Sequence, residues 1–198
     1  MNIETKTAKS GKIRIYADGE FLFTVNAVLW YSSPFYGKSE LTQEDLDLLK
    51  AQSEISFAYE SALRMLSLRA HSQYEIKNKL LRKFSAEAVT ITLEKLIKSG
   101  LTDDEKFAVL LAKELYENKA YAPKRIQAEL KNRGISGEYI QNAINTLDIN
   151  EETSIISVIE KLKISEESTE KEKARAVRRL LNMGYSFYDI TKYISVYE

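Results

Sequence analysis

Apolar residues along this chain recur with two different periods, and the change between them divides it. From Lys12 to Val25 the spacing is two: Ile13 and Ile15, then Phe21, Phe23 and Val25, alternate with mostly polar neighbours around Asp18-Gly19. Such alternation marks half-buried strands, and Asp-Gly supplies the positive φ values that a type I′ turn needs. A β-hairpin is therefore predicted over 12–17 and 20–25. A lone hairpin is marginal in water, so it must pack on something or gain a third strand. Residues 1–11 are expected to be disordered, and 26–40 are ambiguous, with Ser33-Pro34 and Gly37 arguing for turns.

Beyond residue 42 the spacing becomes three and four. Thr42 with Asp45 resembles a capping box that opens a helix at 45–50, and a longer helix over 53–69 carries Phe57, Ala58, Ala62, Leu63 and Leu66 on one face. Further helices are predicted at 73–83, 86–99, 103–119, 123–133, 137–147, 150–163, 170–183 and 187–197. Their starts carry side chains that can accept from free backbone N–H groups: Ser72 with Glu75, Thr102 with Glu105, Ser186 with Asp189. Pro123 suits a first helical position, and Gly134 and Gly184 suit left-handed caps.

The phrase from Ser72 to Leu101 returns from Pro123 to Leu147 and again from Lys173 to Ile194. Leu80, Leu130 and Leu180 fall fifty residues apart, and Gly134/Gly184, Ser136/Ser186, Ile140/Ile190 and Ile144/Ile194 share that spacing. Ile76, Leu80 and Phe84, with Leu81 alongside, correspond to Ile126 and Leu130 and to Ala176 and Leu180. Val89, Leu93 and Leu96 correspond to Ile140, Ile144 and Leu147. Such self-similarity marks stacked units, each too small to bury its apolar face alone. The predicted fold is mainly α: three tandem three-helix repeats in an elongated curved array, with a small N-terminal β-hairpin extension. The expected boundaries are 1–52 for extension and linker helix, then 53–101, 102–148 and 149–198 for the repeats.

Composition removes most chemistry from consideration. Without cysteine there is no disulfide, thiolate metal site or cysteine nucleophile. The N-terminus is polar, and no segment approaches the roughly 20 apolar residues of a membrane span, so a soluble cytoplasmic protein is expected. His71 is the only histidine, which leaves no histidine pair for a metal. It is expected to be a partly exposed residue flanking a helix. Asp103, Asp104 and Glu105 sit where a helix begins, and the dipole explains them better than a cation site. No glycine-rich phosphate loop occurs. No catalytic residue, metal or cofactor is expected.

The charges balance at 29 basic and 29 acidic residues, but the signs are separated. Lys77, Lys79, Arg82 and Lys83 lie in the first copy, Lys124, Arg125, Lys131 and Arg133 in the second, and Arg175, Arg178 and Arg179 in the third. These eleven are the candidate contacts to DNA or to an acidic protein surface, although solvated helix faces would carry the same charges. Lys83 and Arg133 are taken as the only pair in matching repeat positions. Tyr74, Tyr116, Tyr121, Tyr139, Tyr185 and Tyr188 are either stacking platforms or partial core.

Three phrases, in order, resemble the RecX family, the regulators of the RecA recombinase. L-S-L-R-A-H-S-Q-Y-E-I-K-N-K-L-L-R-K is similar to its first-repeat signature, G-L-T-D-D-E-K-F-A to the junction after it, and P-K-R-I-Q-A-E-L-K-N-R-G-I to the second. The hairpin followed by E-L-T-Q-E-D-L also looks like the extension of some members. Ala70, His71, Phe84 and Tyr121 depart from the pattern. The resemblance implies a non-catalytic protein that binds RecA–DNA filaments and lowers their ATPase and strand-exchange activity. It is expected to be a monomer. Two other readings stay open: a nucleic-acid binder that acts without RecA, as helix-turn-helix proteins do, and a helical scaffold for other proteins.

Overall fold

The computed structural model describes residues 1–8 and 11–195. The chain forms two compact units, Met1–Thr102 and Asp103–Glu198. No helix among the described residues is long and apolar enough to cross a membrane.

The first unit opens with three antiparallel strands in the order β1 (Ile3–Thr7), β2 (Lys12–Ala17) and β3 (Glu20–Asn26). The predicted hairpin is β2–β3, with Ile13 opposite Val25 and Ile15 opposite Phe23. Asp18 and Gly19 take φ values of 48° and 83° in the turn. The expected disorder of residues 1–11 is corrected for the described part of that segment. Residues 3–7 pair with β2, Ile3 opposite Ala17 and Thr7 opposite Ile13. The free edge of β2 offers unpaired backbone groups, and β1 satisfies them while exposing mostly polar side chains, which is why it resembles a tail. Residues 9 and 10 lie outside the described residues.

One face of this sheet is buried. Ile13, Ile15, Ala17 and Val25 pack with Trp30, Phe35, Leu41, Leu46 and Leu49. The ambiguous stretch becomes a short helix, α1 (Ala27–Ser32), whose cap Asn26 accepts from the Val28 N–H. The two helices expected at 45–50 and 53–69 are one, α2 (Gln43–Leu68). Ala51, Gln52 and Ser53 contain nothing that breaks a helix, and the Thr42–Asp45 capping box opens it as expected. Leu46 and Leu49 serve the sheet, while Ala62 joins Ile76, Leu80, Val89 and Leu96 from α3 (Gln73–Leu80) and α4 (Ala86–Lys98). Leu63 and Leu81, both expected in the core, are exposed. Leu81 follows the last residue of α3, where the chain has already begun to turn.

The second unit holds two three-helix sets: α5 (Asp104–Glu117), α6 (Pro123–Asn132) and α7 (Gly137–Asn145), then α8 (Glu151–Lys161), α9 (Glu170–Asn182) and α10 (Phe187–Thr191). Each has its own core, centred on Ile126 and Leu130 in the first and on Leu180 and Ile190 in the second. Leu80, Leu130 and Leu180 are all buried, and Gly134 and Gly184 have the left-handed φ values of 75° and 97°. The predicted cap of α5 moves by one residue. Asp103, not Thr102, accepts from the Lys106 N–H, and Thr102 is buried with its hydroxyl unpartnered among the described residues. The helix expected over 187–197 is corrected to five residues: α10 ends at Thr191 with Lys192 as its C-cap, and residues 193–195 lie beyond it. Residues 196–197 of that expectation lie outside the described residues.

Candidate anion-binding surface

In the first unit, Lys77 and Lys79 project from α3, while Arg82 and Lys83 lie on the turn that follows it; all four are exposed. Lys79 Nζ sits 3.3 Å from His71 Nε2, and His71 Nδ1 lies 3.0 Å from the Arg69 carbonyl. His71 is 5% exposed, so the expected partly exposed flanking residue is a buried one. Burial, more than the nearby cations, pushes its pKa below the ordinary histidine value. The adjacent cap holds the corner: Ser72 accepts from the Glu75 N–H, and the Glu75 carboxylate pairs with Arg69 at 3.0 Å.

In the second unit the cations converge. Arg125 from the first turn of α6 and Arg175, Arg178 and Arg179 from α9 face one cleft of about 1100 Å3. Residues three and four apart share a helix face, which places the three α9 arginines together. Lys119 and Lys161, absent from the sequence-predicted set, add to its basic lining, and among the described residues no Asp or Glu contributes to it. Arg125 is held by Glu129 at 2.7 Å. On the cleft wall, the Tyr121 ring has Arg125 Cζ 5.7 Å and Lys119 Nζ 5.9 Å from its centre. Among the described residues no carboxylate pairs with Lys119, Lys161, Arg175, Arg178 or Arg179. Arg175 does lower the pKa of Glu172, behind the larger effect of hydrogen bonds from Thr169.

Lys124 and Lys131 lie apart from this cleft, along smaller depressions beside Ala128. Arg133 is the half-buried C-cap of α6. The expectation that only Lys83 and Arg133 share a repeat position is corrected by the sequence itself. Arg125 and Arg175 are also fifty residues apart, and both line the cleft. That equivalence is the one signal in the sequence that points to it; nothing in the spacing of Lys119 and Lys161 does.

Of the six tyrosines, Tyr185 is fully core, Tyr116, Tyr121 and Tyr139 are half-buried, and Tyr74 and Tyr188 are exposed. Asp103 is the cap of α5, and its bond from the Lys106 N–H is the main reason its pKa is lowered. Among the described residues no group of three or more His, Asp or Glu is placed to hold a metal ion.

The architecture has known counterparts. Residues 58–96 match the family model of the RecX first three-helix domain, and residues 103–144 match that of the second. The chain is 25% identical over 192 residues to the regulatory protein RecX of Caldanaerobacter subterraneus subsp. tengcongensis, covering 96% of each. It is 29% identical over 142 residues to that of Chlorobaculum tepidum, covering 71% of this chain and 88% of the relative. A crystal structure of a regulatory protein RecX superimposes with a TM-score of 0.66 over 98% of each chain, at 21% identity. That of RecX from Lactobacillus salivarius gives 0.57 over 70% of this chain and 93% of the other. With both three-helix domains present in order, and relatives of that name matched along nearly its full length, the chain belongs to the RecX family.

Proposed function

We propose that the protein regulates a RecA-type recombinase by binding its filament on DNA, lowering ATP hydrolysis and strand exchange without catalysis of its own. It acts as a cytoplasmic monomer built from three repeats. The name regulatory protein, carried by the relatives, supports a regulatory role, and the family resemblance supplies the recombinase. The observation that carries the reading is the convergence of Arg125, Arg175, Arg178 and Arg179 on one cleft that no Asp or Glu lines among the described residues. A recombinase filament on DNA offers both nucleic-acid phosphates and acidic protein groups, and the cations of the cleft can meet either, several modest contacts summing.

The test is RecA's DNA-dependent ATP hydrolysis with the protein titrated well below one per RecA, beside anisotropy on bare single-stranded DNA. Strong inhibition with weak bare-DNA binding is expected. Arg175→Glu with Arg179→Glu should relieve the inhibition, while Lys113→Ala, an exposed lysine on α5 away from the cleft, should not. An unrelieved double variant that still folds would remove the cleft from the mechanism. The same cleft also favours a second reading, a nucleic-acid binder acting alone. That reading gains if bare DNA binds tightly, with strong salt dependence, and inhibition begins only once the DNA is covered.

A further inference from the structure

The six cations of the cleft are concentrated rather than strung along the surface. Lys119, Arg125, Lys161, Arg175, Arg178 and Arg179 face one space of about 1100 Å3, whereas the two neighbouring depressions along α6 are lined by two cations each. A polymer with evenly spaced phosphates is matched by a stripe of basic residues. A focus of six matches a ligand that carries several negative charges on a few adjacent atoms. Like charges gathered around one concavity also repel each other across low-dielectric walls, and a bound polyanion relieves that repulsion.

The remaining lining is graded in a way that suits a nucleotide. Val158, Leu162 and Met183 supply an apolar floor, the Tyr121 ring a flat wall, and Asn118 and Asn182 carboxamides that can donate and accept. The volume lies just above the usual range of small-ligand sites, roughly 300–1,000 Å3, so a ligand of nucleotide size fits with room for water. Arginine forks pair with phosphate oxygens two at a time, and three of them come from two adjoining turns of α9. We propose that this cleft binds a polyphosphate-bearing small anion, with a nucleoside triphosphate or a short inorganic polyphosphate as the two sources of that chemistry. The proposal is independent of which protein the chain regulates.

The experiment is calorimetric titration of the full chain with ATP and, separately, with inorganic triphosphate, alongside oligothymidylate. One molecule of ATP or triphosphate is expected to bind per chain with sub-millimolar affinity. The exposed pair change Arg178→Ala with Arg179→Ala should weaken binding about tenfold or more, since each removes a charge-assisted contact. Lys113→Ala should leave it unchanged, and Arg175→Ala provides a second, independent variant. ATP binding more tightly than triphosphate would assign the nucleoside to Tyr121 and the carboxamides; equal affinity would assign inorganic polyphosphate. Both support the proposal. It is overturned if neither compound binds at millimolar concentration, including the case where oligothymidylate alone binds and the arginine variants abolish it. It is equally overturned if the variants bind ATP and triphosphate as the parent does.

Discussion

A Cβ atom built on Gly184 lies 2.7 Å from the Cβ of Arg125 and 2.9 Å from its backbone nitrogen. The turn after α9 therefore rests directly on the start of α6, backbone against backbone, and the Ala122 N–H donates to the Met183 carbonyl beside it at 2.9 Å. The cleft depends on this contact, because Arg125 stands on one side of it and the α9 arginines on the other. Gly184 has φ of 97°, so a side chain there is both strained and obstructed. Gly184→Ala should cost about 2 kcal/mol or more in denaturant unfolding. Gly100→Ala, at a φ of 65° with nothing within 4 Å, carries the strain alone and should cost about 1 kcal/mol. Equal losses in the two variants would show that the close approach contributes nothing.

The same junction is held by Tyr185, whose hydroxyl donates to the Ala120 carbonyl at 2.7 Å from a side chain 3% exposed. Tyr185→Phe keeps the ring but strands that carbonyl, and should cost about 1–2 kcal/mol. Burial pushes the Tyr185 hydroxyl up to about 12 from its ordinary 10. Between those values the unfolded chain has lost the proton and the folded chain retains it. The hydroxyl's contribution is thus full below pH 10 and is lost as pH rises through 12. The free energy of unfolding, followed from pH 9 to 12, should fall less steeply in Tyr185→Phe than in the parent.

Much of the fold follows from local pattern. The buried Leu80, Leu130 and Leu180 report each repeat's core at one fixed position, because stacking equivalent units puts equivalent residues inside. The cleft is different in kind. Lys119, Arg125, Lys161 and Arg179 are brought together by how one helical set meets the next, and helical periodicity describes only one helix at a time. Single-element patterns also conceal β1, whose polar outward face reads as a tail, and the burial of His71, which depends on the corner between α2 and α3. Thr102 shows a local rule applied one residue early: the capping spacing was there, but Asp103 accepts more strongly than a threonine hydroxyl.

Thr92 and Thr102 are both buried with hydroxyls that have no hydrogen-bond partner among the described residues. Replacing an unpaired buried hydroxyl by a methyl of the same shape removes a desolvation cost and loses no bond. Thr92→Val, in the middle of α4, should raise stability by up to about 1 kcal/mol in denaturant unfolding. A loss of that size would mean that the hydroxyl has a partner in solution.

His71 offers a single-residue titration, since the chain has no other histidine. With Nδ1 against the Arg69 carbonyl, Nε2 faces Lys79 as an acceptor, so a proton added there meets an ammonium at 3.3 Å in a buried site. The folded pKa is lowered, by burial first and by Arg69 and Lys79 in addition. A depressed folded pKa means that the neutral ring stabilises the fold above the unfolded value near 6.5. That contribution is lost as pH falls through the lower folded value. The imidazole proton signals followed by NMR should therefore titrate below pH 6.5, and Lys79→Met should move that midpoint upward by removing the facing cation. His71→Gln should flatten the stability profile below pH 7. A midpoint at or above 6.5 in the parent would mean that the ring is solvated and that the corner it occupies opens in solution.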